Sequence, residues 1–412
     1  MTAPLAPPKR KDPLRRTPRP LPLPTRRSRA AEGLTRAAAE GRFMLQACPE
    51  CGTVTYPPRD ACPRCLSPDL AFRDVADGGT LVAATTLRVP IGLWFRERAP
   101  WRTGLVRLDA GPTMVAHLHG DCTEGGRVRL RLMLDRAGEA AAFALPATDT
   151  PNMPDDPQLR EFTASPKFRR VLVTDGRSAT GAAVARALSE AGAATVFVGV
   201  RDRWKPFPEE AALAALRGVE LVPLDPGDER SVARLAADIG GKTDILVNTS
   251  EHVRPGGLTG GRLTDLRDAL ESDALALARL AAAFGPAMRG RGADGTNNAV
   301  AWVNCLSVFA LVNWPAYGAW SAGQAAALSV AECLRAELRP GGIRVVNVFS
   351  GPLDTEWFQA VPPPKLAPSA LAAAVVDALE RGLEDVFAGD VARDIRDRLA
   401  RNPKAVEREL DR

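Results

Sequence analysis

The segment CPECGTVTYPPRDACPRC sets Cys48, Cys51, Cys62 and Cys65 in two CxxC pairs separated by ten residues. Each pair predicts a tight knuckle that turns two thiolates toward one point. Two knuckles supply four soft ligands in a tetrahedron, which suits Zn²⁺ and leaves no coordination position open. A closed set of this kind is structural. It constrains the fold strongly, because small ribbons couple folding to metal binding, worth on the order of 10 kcal/mol in metal-binding peptides. Such a pattern in a long chain points to a reducing compartment rather than a secreted disulfide scaffold. Cys122, Cys305 and Cys333 are isolated and are expected to pack as small apolar residues.

At 412 residues the chain is long enough for two domains. Its net charge of +5 is concentrated at one end: residues 1–30 carry nine Lys/Arg and one Asp, so the remainder is slightly acidic. The Pro/Arg-rich stretch 1–29 cannot bury enough apolar surface to offset its ordering entropy and is expected to be a disordered basic tail, either a solubilising extension or an electrostatic arm. It has no apolar run long enough for a signal peptide or a membrane span, and a cytoplasmic location is expected.

Residues 30–149 begin with a short helix and the cysteine pairs. They continue as apolar/polar alternation with frequent Gly (GTLVAATTLRV, RTGLVRL, TMVAHLHG, RVRLRLML), the spacing of strands and turns in a small barrel. Residues 150–168, rich in Pro, read as a linker. From 169 to 412, strands (RRVLVTD, TVFVGV, VELVPLD, DILVN, AVAWVNC, IRVVNVF) alternate with helices, the long ones near 262–288 and 316–338. The fold class expected is α/β: a Rossmann-like, doubly wound parallel sheet preceded by the ribbon and barrel.

The stretch from ACPECGTVTYPPRDACPRCLSPDL through GTLVAATTLRVP to FALP resembles a family that joins a zinc ribbon to an OB-fold barrel. The resemblance implies a partner, a thiolase-like enzyme or aldolase, and a shared acyl-CoA, with no catalytic centre of its own. Single-strand nucleic-acid binders place aromatics beside a cationic groove. This barrel has Phe72, Trp94, Phe95, Trp101 and Phe143 but no Lys, and its Arg residues are offset by Asp and Glu, which argues against nucleic acid. The apolar loop VPIGLWFRERAPW (89–101) is either a partner or acyl-chain surface, with Trp94 and Phe95 as its test residues, or buried packing.

The second half resembles the short-chain dehydrogenase/reductase family over VLVTDGRSATGAAVARALSEAGA, DILVNTSE, VNCLSVFALVNWPAYGAWSAGQAAAL and IRVVNVFSGPLDTEW. The family's glycine motif, TGxxxGxG, is degenerate here: Thr174, Gly176 and Gly181 remain, but Asp175 and Ala179 replace two glycines. Glycine there lets backbone approach a pyrophosphate at a helix N-terminus. The Ala179 methyl obstructs that approach, and the Asp175 charge costs about 1 kcal/mol against phosphate in water and more when shielded. Val200 stands at the ribose position with Arg201 after it, so any dinucleotide, NADP or NAD, would slightly favour the 2′-phosphate form. Asn248 survives from the motif after the fourth strand, which reads Asn248-Thr249-Ser250-Glu251.

Carried over residue by residue, the family's catalytic Ser is Ser307, but Asp273, Trp320 and Gln324 hold the positions of its Asn, Tyr and Lys. An indole N–H donates a hydrogen bond yet exchanges no proton near neutrality, and Gln324 brings no charge to lower a pKa. Loss of a positioned acid/base costs roughly 10²–10⁴-fold. Tyr317 has Ser321 as its i+4 neighbour and gains no cation. The expectation is a non-catalytic or weakly catalytic accessory protein of acyl-CoA metabolism. Its second half would serve oligomerisation or docking, as a homodimer or with an active short-chain dehydrogenase subunit. The alternative is an NADP(H)-dependent oxidoreductase acting on a β-keto or β-hydroxyacyl-CoA.

Overall fold

In the computed structural model, residues 2–7, 29–292 and 298–410 are described, and they fall into two compact units. Most of the expected tail, 8–28, lies outside the described residues. Its first residues depart from the expectation of disorder: Thr2 Oγ1 donates to Asp121 (3.0 Å) and the Leu5 amide to Asp155 (3.2 Å).

The first unit opens with a helix, Glu32–Ala39, and a three-stranded antiparallel sheet ordered β2-β1-β3, with β1 Met44–Ala47, β2 Val54–Thr55 and β3 Ala71–Asp74. The two knuckles hang from it and repeat one backbone geometry. Gly52 N–H donates to the Cys48 carbonyl and Leu66 N–H to that of Cys62, with both Gly52 (φ 70°) and Leu66 (φ 64°) left-handed. Glycine meets that demand without strain; Leu66 meets it with its side chain in solvent.

Five strands follow: β4 Gly78–Leu87, β5 Trp101–Leu108, β6 Thr113–Leu118, β7 Arg127–Leu134 and β8 Ala140–Pro146. They close into a barrel ordered β4-β5-β6-β8-β7, in which only β6 and β8 run parallel. Alternate residues point inward, so Leu81, Val106, Met114, Leu118, Val128, Leu130 and Leu132 form one core with Leu34 of the helix. Gly104 sits opposite a bulge at Leu81/Ala83, where a Cβ would lie 2.6 Å from the Ala83 carbonyl oxygen.

The predicted linker is not one over most of its length. Met153, Leu159 and Phe162 pack with Trp94, Trp101, Met133, Phe143 and Leu145 into a second apolar cluster. This explains why β8, AAAFALP, is buried at every position: the barrel core covers one face and the 153–162 segment the other. The prolines that suggested a linker start short helical turns at Met153–Asp155 and Pro157–Arg160.

The second unit is a seven-stranded, all-parallel sheet: β9 Arg170–Val173, β10 Thr195–Val200, β11 Val219–Pro223, β12 Ile245–Asn248, β13 Ala301–Ser307, β14 Arg344–Ser350 and β15 Asp385–Ala388. Its order is β11-β10-β9-β12-β13-β14-β15, so the winding reverses between β9 and β12 and opens a crevice at their carboxyl ends. The central strands are almost wholly buried and mainly apolar because helices cover both faces. β15, DVFA, is not expected from the sequence; three of its four residues are only partly buried, and it lacks the continuous apolar run of the equally short β9 and β12. The long helix expected over 262–288 is also interrupted. It runs Leu263–Ala269, passes through a π-helical segment at Leu270–Leu275, and continues Ala276–Gly290.

Candidate functional site

The four cysteines converge as predicted. Cys48 and Cys65 Sγ lie 3.5 Å apart, as do Cys51 and Cys62, and all four sulfurs fall within 4.8 Å of one another. Zn–S bonds of about 2.3 Å in a tetrahedron require sulfurs about 3.8 Å apart, so the set fits zinc with no position for substrate. Hydrogen bonding with Thr53 pulls the Cys51 thiol down, while burial and the neighbouring sulfurs push Cys65 up, so the four thiols share their protons unevenly.

At the crevice of the second unit, β9 ends in Thr174 and turns into the helix Ala179–Glu190. Thr174 Oγ1 donates to Asn248 Oδ1 (3.0 Å) and accepts from the Thr249 amide (2.9 Å), tying the first and fourth strands together. Gly176 and Gly181 are sterically fixed: a Cβ on Gly176 would lie 2.2 Å from Val198, and one on Gly181 only 1.6 Å from the Asp175 carbonyl oxygen. The turn is satisfied from within. Ser178 caps the helix through the Gly181 amide (3.0 Å), and the Asp175 carboxylate accepts the Arg177 amide (3.0 Å). Burial holds the Asp175 carboxyl above its ordinary range. Ala179 is exposed at the start of the helix, on the side a pyrophosphate would approach. The exposed Arg201, in the 2′-phosphate position, pairs with Asp225 (2.7 Å). With Asp175 in the turn, these residues do not fit a pyrophosphate.

The positions aligned with the catalytic tetrad do meet, but as a closed polar bridge. Gln324 accepts the Ser307 backbone amide through Oε1 (2.8 Å) and donates through Nε2 to Asp273 Oδ2 (3.1 Å). Asp273, on the π-helical segment, also accepts the His252 amide (2.9 Å), and burial raises its carboxyl well above the usual range. The Ser307 hydroxyl donates to the Ser350 carbonyl (3.3 Å) and accepts the Phe309 amide (3.2 Å). Gln324 is 1% exposed and Trp320, one turn earlier on the helix Gly318–Leu338, is 2% exposed. Trp320 packs edge-on against Phe358 (5.4 Å between rings) and near Phe309 and Tyr317. Tyr317 stacks on Trp314 and donates to the Trp357 carbonyl (3.4 Å). Burial raises its phenol, the reverse of what proton transfer at neutral pH requires.

A small cavity of about 10 Å³ remains, lined among others by Thr180, Glu251, Cys305, Ser307, Trp320 and Ser350. That is room for about one water. Glu251 is the wall residue that sequence reasoning does not single out; the signal was present, an acidic side chain where the related motif ends in glycine. Burial, reinforced by Asp175, pushes its carboxyl up to about 7.

Residues 176–381, half of the chain, match the family model described as enoyl-(acyl carrier protein) reductase. The chain belongs to the short-chain dehydrogenase/reductase family. Residues 35–71 match the rubredoxin-like zinc ribbon domain of ChsH2 and residues 72–132 its C-terminal OB-fold domain. An uncharacterized oxidoreductase of Mycobacterium tuberculosis is 29% identical over 244 residues, 55% of this chain and 69% of its own. The short-chain dehydrogenase cctT of Talaromyces islandicus is 30% identical over 46% of this chain and 64% of its own. Among solved structures, a short-chain dehydrogenase from Burkholderia cenocepacia in complex with NADP is 32% identical, with a TM-score of 0.53, over 59% of this chain and 98% of that one. A second, from Streptomyces avermitilis, is 28% identical, with a TM-score of 0.50, over 59% and 95%. The short-chain dehydrogenase half is thus matched across almost the whole of those dehydrogenase chains, and the ribbon and barrel lie ahead of it.

No helix among the described residues is long and apolar enough to cross a membrane. The aromatic residues weighed for nucleic acid mostly face inward: Trp94, Trp101 and Phe143 are buried. Trp94 and Phe95 belong to the inner cluster, so they are not the outward surface of the 89–101 loop. That surface is Val89 (81% exposed), Ile91 (96%) and Leu93 (52%).

Proposed function

We propose that this protein is an accessory scaffold of acyl-CoA metabolism. Its ribbon–barrel half docks a thiolase-like or aldolase enzyme and that enzyme's acyl-CoA. Its short-chain dehydrogenase half serves as an oligomerisation or docking module without reductase chemistry. The observation that carries the reading is the Asp273–Gln324–Ser307 bridge: these three residues are hydrogen-bonded within the protein, and the place of the proton donor is filled by Trp320, whose buried indole N–H has no partner among the described residues. The ChsH2-type domains support the acyl-CoA link. Val89, Ile91 and Leu93 supply an apolar surface beside Arg88 and Arg96, suited to an apolar partner face or an acyl chain carried on an anionic carrier. A tether between successive enzymes raises their effective concentration.

Co-sedimentation of the zinc-loaded protein with a purified thiolase-like enzyme tests the docking. Ile91→Asp should weaken association at least about tenfold while leaving the fold intact. Equal association of wild type and variant would remove the loop from the account.

A second reading, an NADP(H)-dependent oxidoreductase on β-keto or β-hydroxyacyl-CoA, draws on the retained Ser307, on Arg201, and on the NADP complex of the Burkholderia relative. It predicts NADPH consumption that Ser307→Ala abolishes.

A further inference from the structure

We infer that the crevice of the short-chain dehydrogenase half is filled by the chain's own carboxyl groups: Asp175 takes the place of a ligand phosphate in the glycine turn, and Glu251 occupies the trench beyond it, so that the unit selects against nucleotide polyphosphates. The inference rests on the non-catalytic reading of this half but concerns its ligand specificity rather than its partners.

Three observations converge on it. A phosphate-binding turn works because backbone amides at a helix N-terminus point at the anion. Here the Arg177 amide donates to Asp175 Oδ1, the Gly181 amide to Ser178 Oγ, and the Gly176 amide to the Gly199 carbonyl (2.8 Å). The turn keeps its glycine-dependent shape at Gly176 and Gly181, yet these three amides are used by internal acceptors.

Glu251 lies three residues past the end of β12, one of the two strands that flank the crevice. It lines the cavity with Thr180 on the helix start, Ser307 at the end of β13 and Ser350 at the end of β14. These are the strand ends over which a ligand of an open parallel sheet lies. The recess that these residues enclose has room for about one water.

The charge pattern is the third. Asp175, Glu251 and Asp273 are three carboxyls at one crevice. Glu251 and Asp175 are near enough that each ionisation opposes the other, and Glu251 likewise acts on Asp273. Arg177 and Arg201 border the turn but are engaged elsewhere: Arg177 donates to the Lys205 carbonyl (2.7 Å) and Arg201 pairs with Asp225. A bound diphosphate would face two carboxyl groups whose ionisation its own charge opposes, with the nearby guanidiniums already hydrogen-bonded within the protein.

The test is calorimetric titration of the full-length, zinc-loaded protein with NADP⁺. Wild type should show no saturable binding. Asp175→Gly combined with Glu251→Ala, which clears both charge and bulk, should bind at least about 100-fold more tightly than the wild-type limit. Asp175→Asn combined with Glu251→Gln keeps the shape and the Oδ1 acceptor, so it serves if the first pair fails to fold; it should gain a smaller but measurable affinity. Micromolar binding by wild type would overturn the inference, as would a folded charge-neutral pair that binds no better than wild type. Neither result would bear on docking through the barrel loop, which the Ile91→Asp experiment tests separately.

Discussion

Gln324 shows how one side chain can convert a catalytic position into a structural one. A lysine there could not accept the Ser307 N–H, because an ammonium has donors only; a primary amide supplies both an acceptor for Ser307 N–H and a donor for Asp273. Gln324→Ala leaves both partners unsatisfied in a dry setting and should cost about 2–4 kcal/mol in chemical denaturation. Glu251 makes an opposite contribution. Its carboxyl, ordinarily near 4.5, is raised to about 7 in the folded state, so between those values the folded protein holds the proton more tightly than the unfolded chain. Stability is therefore lost as pH rises through that window. Glu251→Gln should stabilise the protein by about 1–3 kcal/mol at pH 8, with the gain shrinking toward pH 5, read from melts at both pH values. A gain that is equal at the two values would place the Glu251 carboxyl outside the interior.

At the scale of elements, the ribbon and the glycine turn are the most tightly determined. Removing zinc should abolish amide protection over Met44–Asp74 while sparing the strands of the parallel sheet, which hydrogen exchange with and without chelator resolves; loss of protection in β9–β14 as well would show the units folding as one. Gly181→Ala should destabilise by at least about 3 kcal/mol, because the added methyl meets backbone rather than a movable side chain. These were also the elements most legible in the sequence. Cysteine spacing, Gly-bounded alternation and β/α alternation each follow from a local rule, so the ribbon, the barrel and six strands of the parallel sheet could be read directly. Three elements could not. Residues 150–168 look like a linker because Pro and Asp dominate, and only tertiary contact shows Met153, Leu159 and Phe162 filling the outer face of β8. β15 is a half-buried edge strand without the continuous apolar run of β9 or β12, and the π-helical segment at Asp273 leaves the apolar pattern of its helix nearly unchanged.

At the scale of the molecule, each half pairs a retained fold with a closed site. The four-thiol set leaves no position for substrate, and the short-chain dehydrogenase half keeps sheet order, Gly176, Gly181 and Ser307, with an indole and an amide where the family resemblance implies an acid/base pair. The replaced Tyr and Lys were visible in the sequence only through the family resemblance of the segment around Trp320 and Gln324. That Gln324, Asp273 and the Ser307 amide form one bridge, and that Glu251 enters the crevice, required the side chains in place, because the four residues lie on different elements. The most direct measurement is NADPH oxidation by the full-length, zinc-loaded protein with a β-ketoacyl-CoA, beside Ser307→Ala. The account predicts no rate above that of the Ser307→Ala variant; a wild-type rate that the substitution abolishes would contradict it.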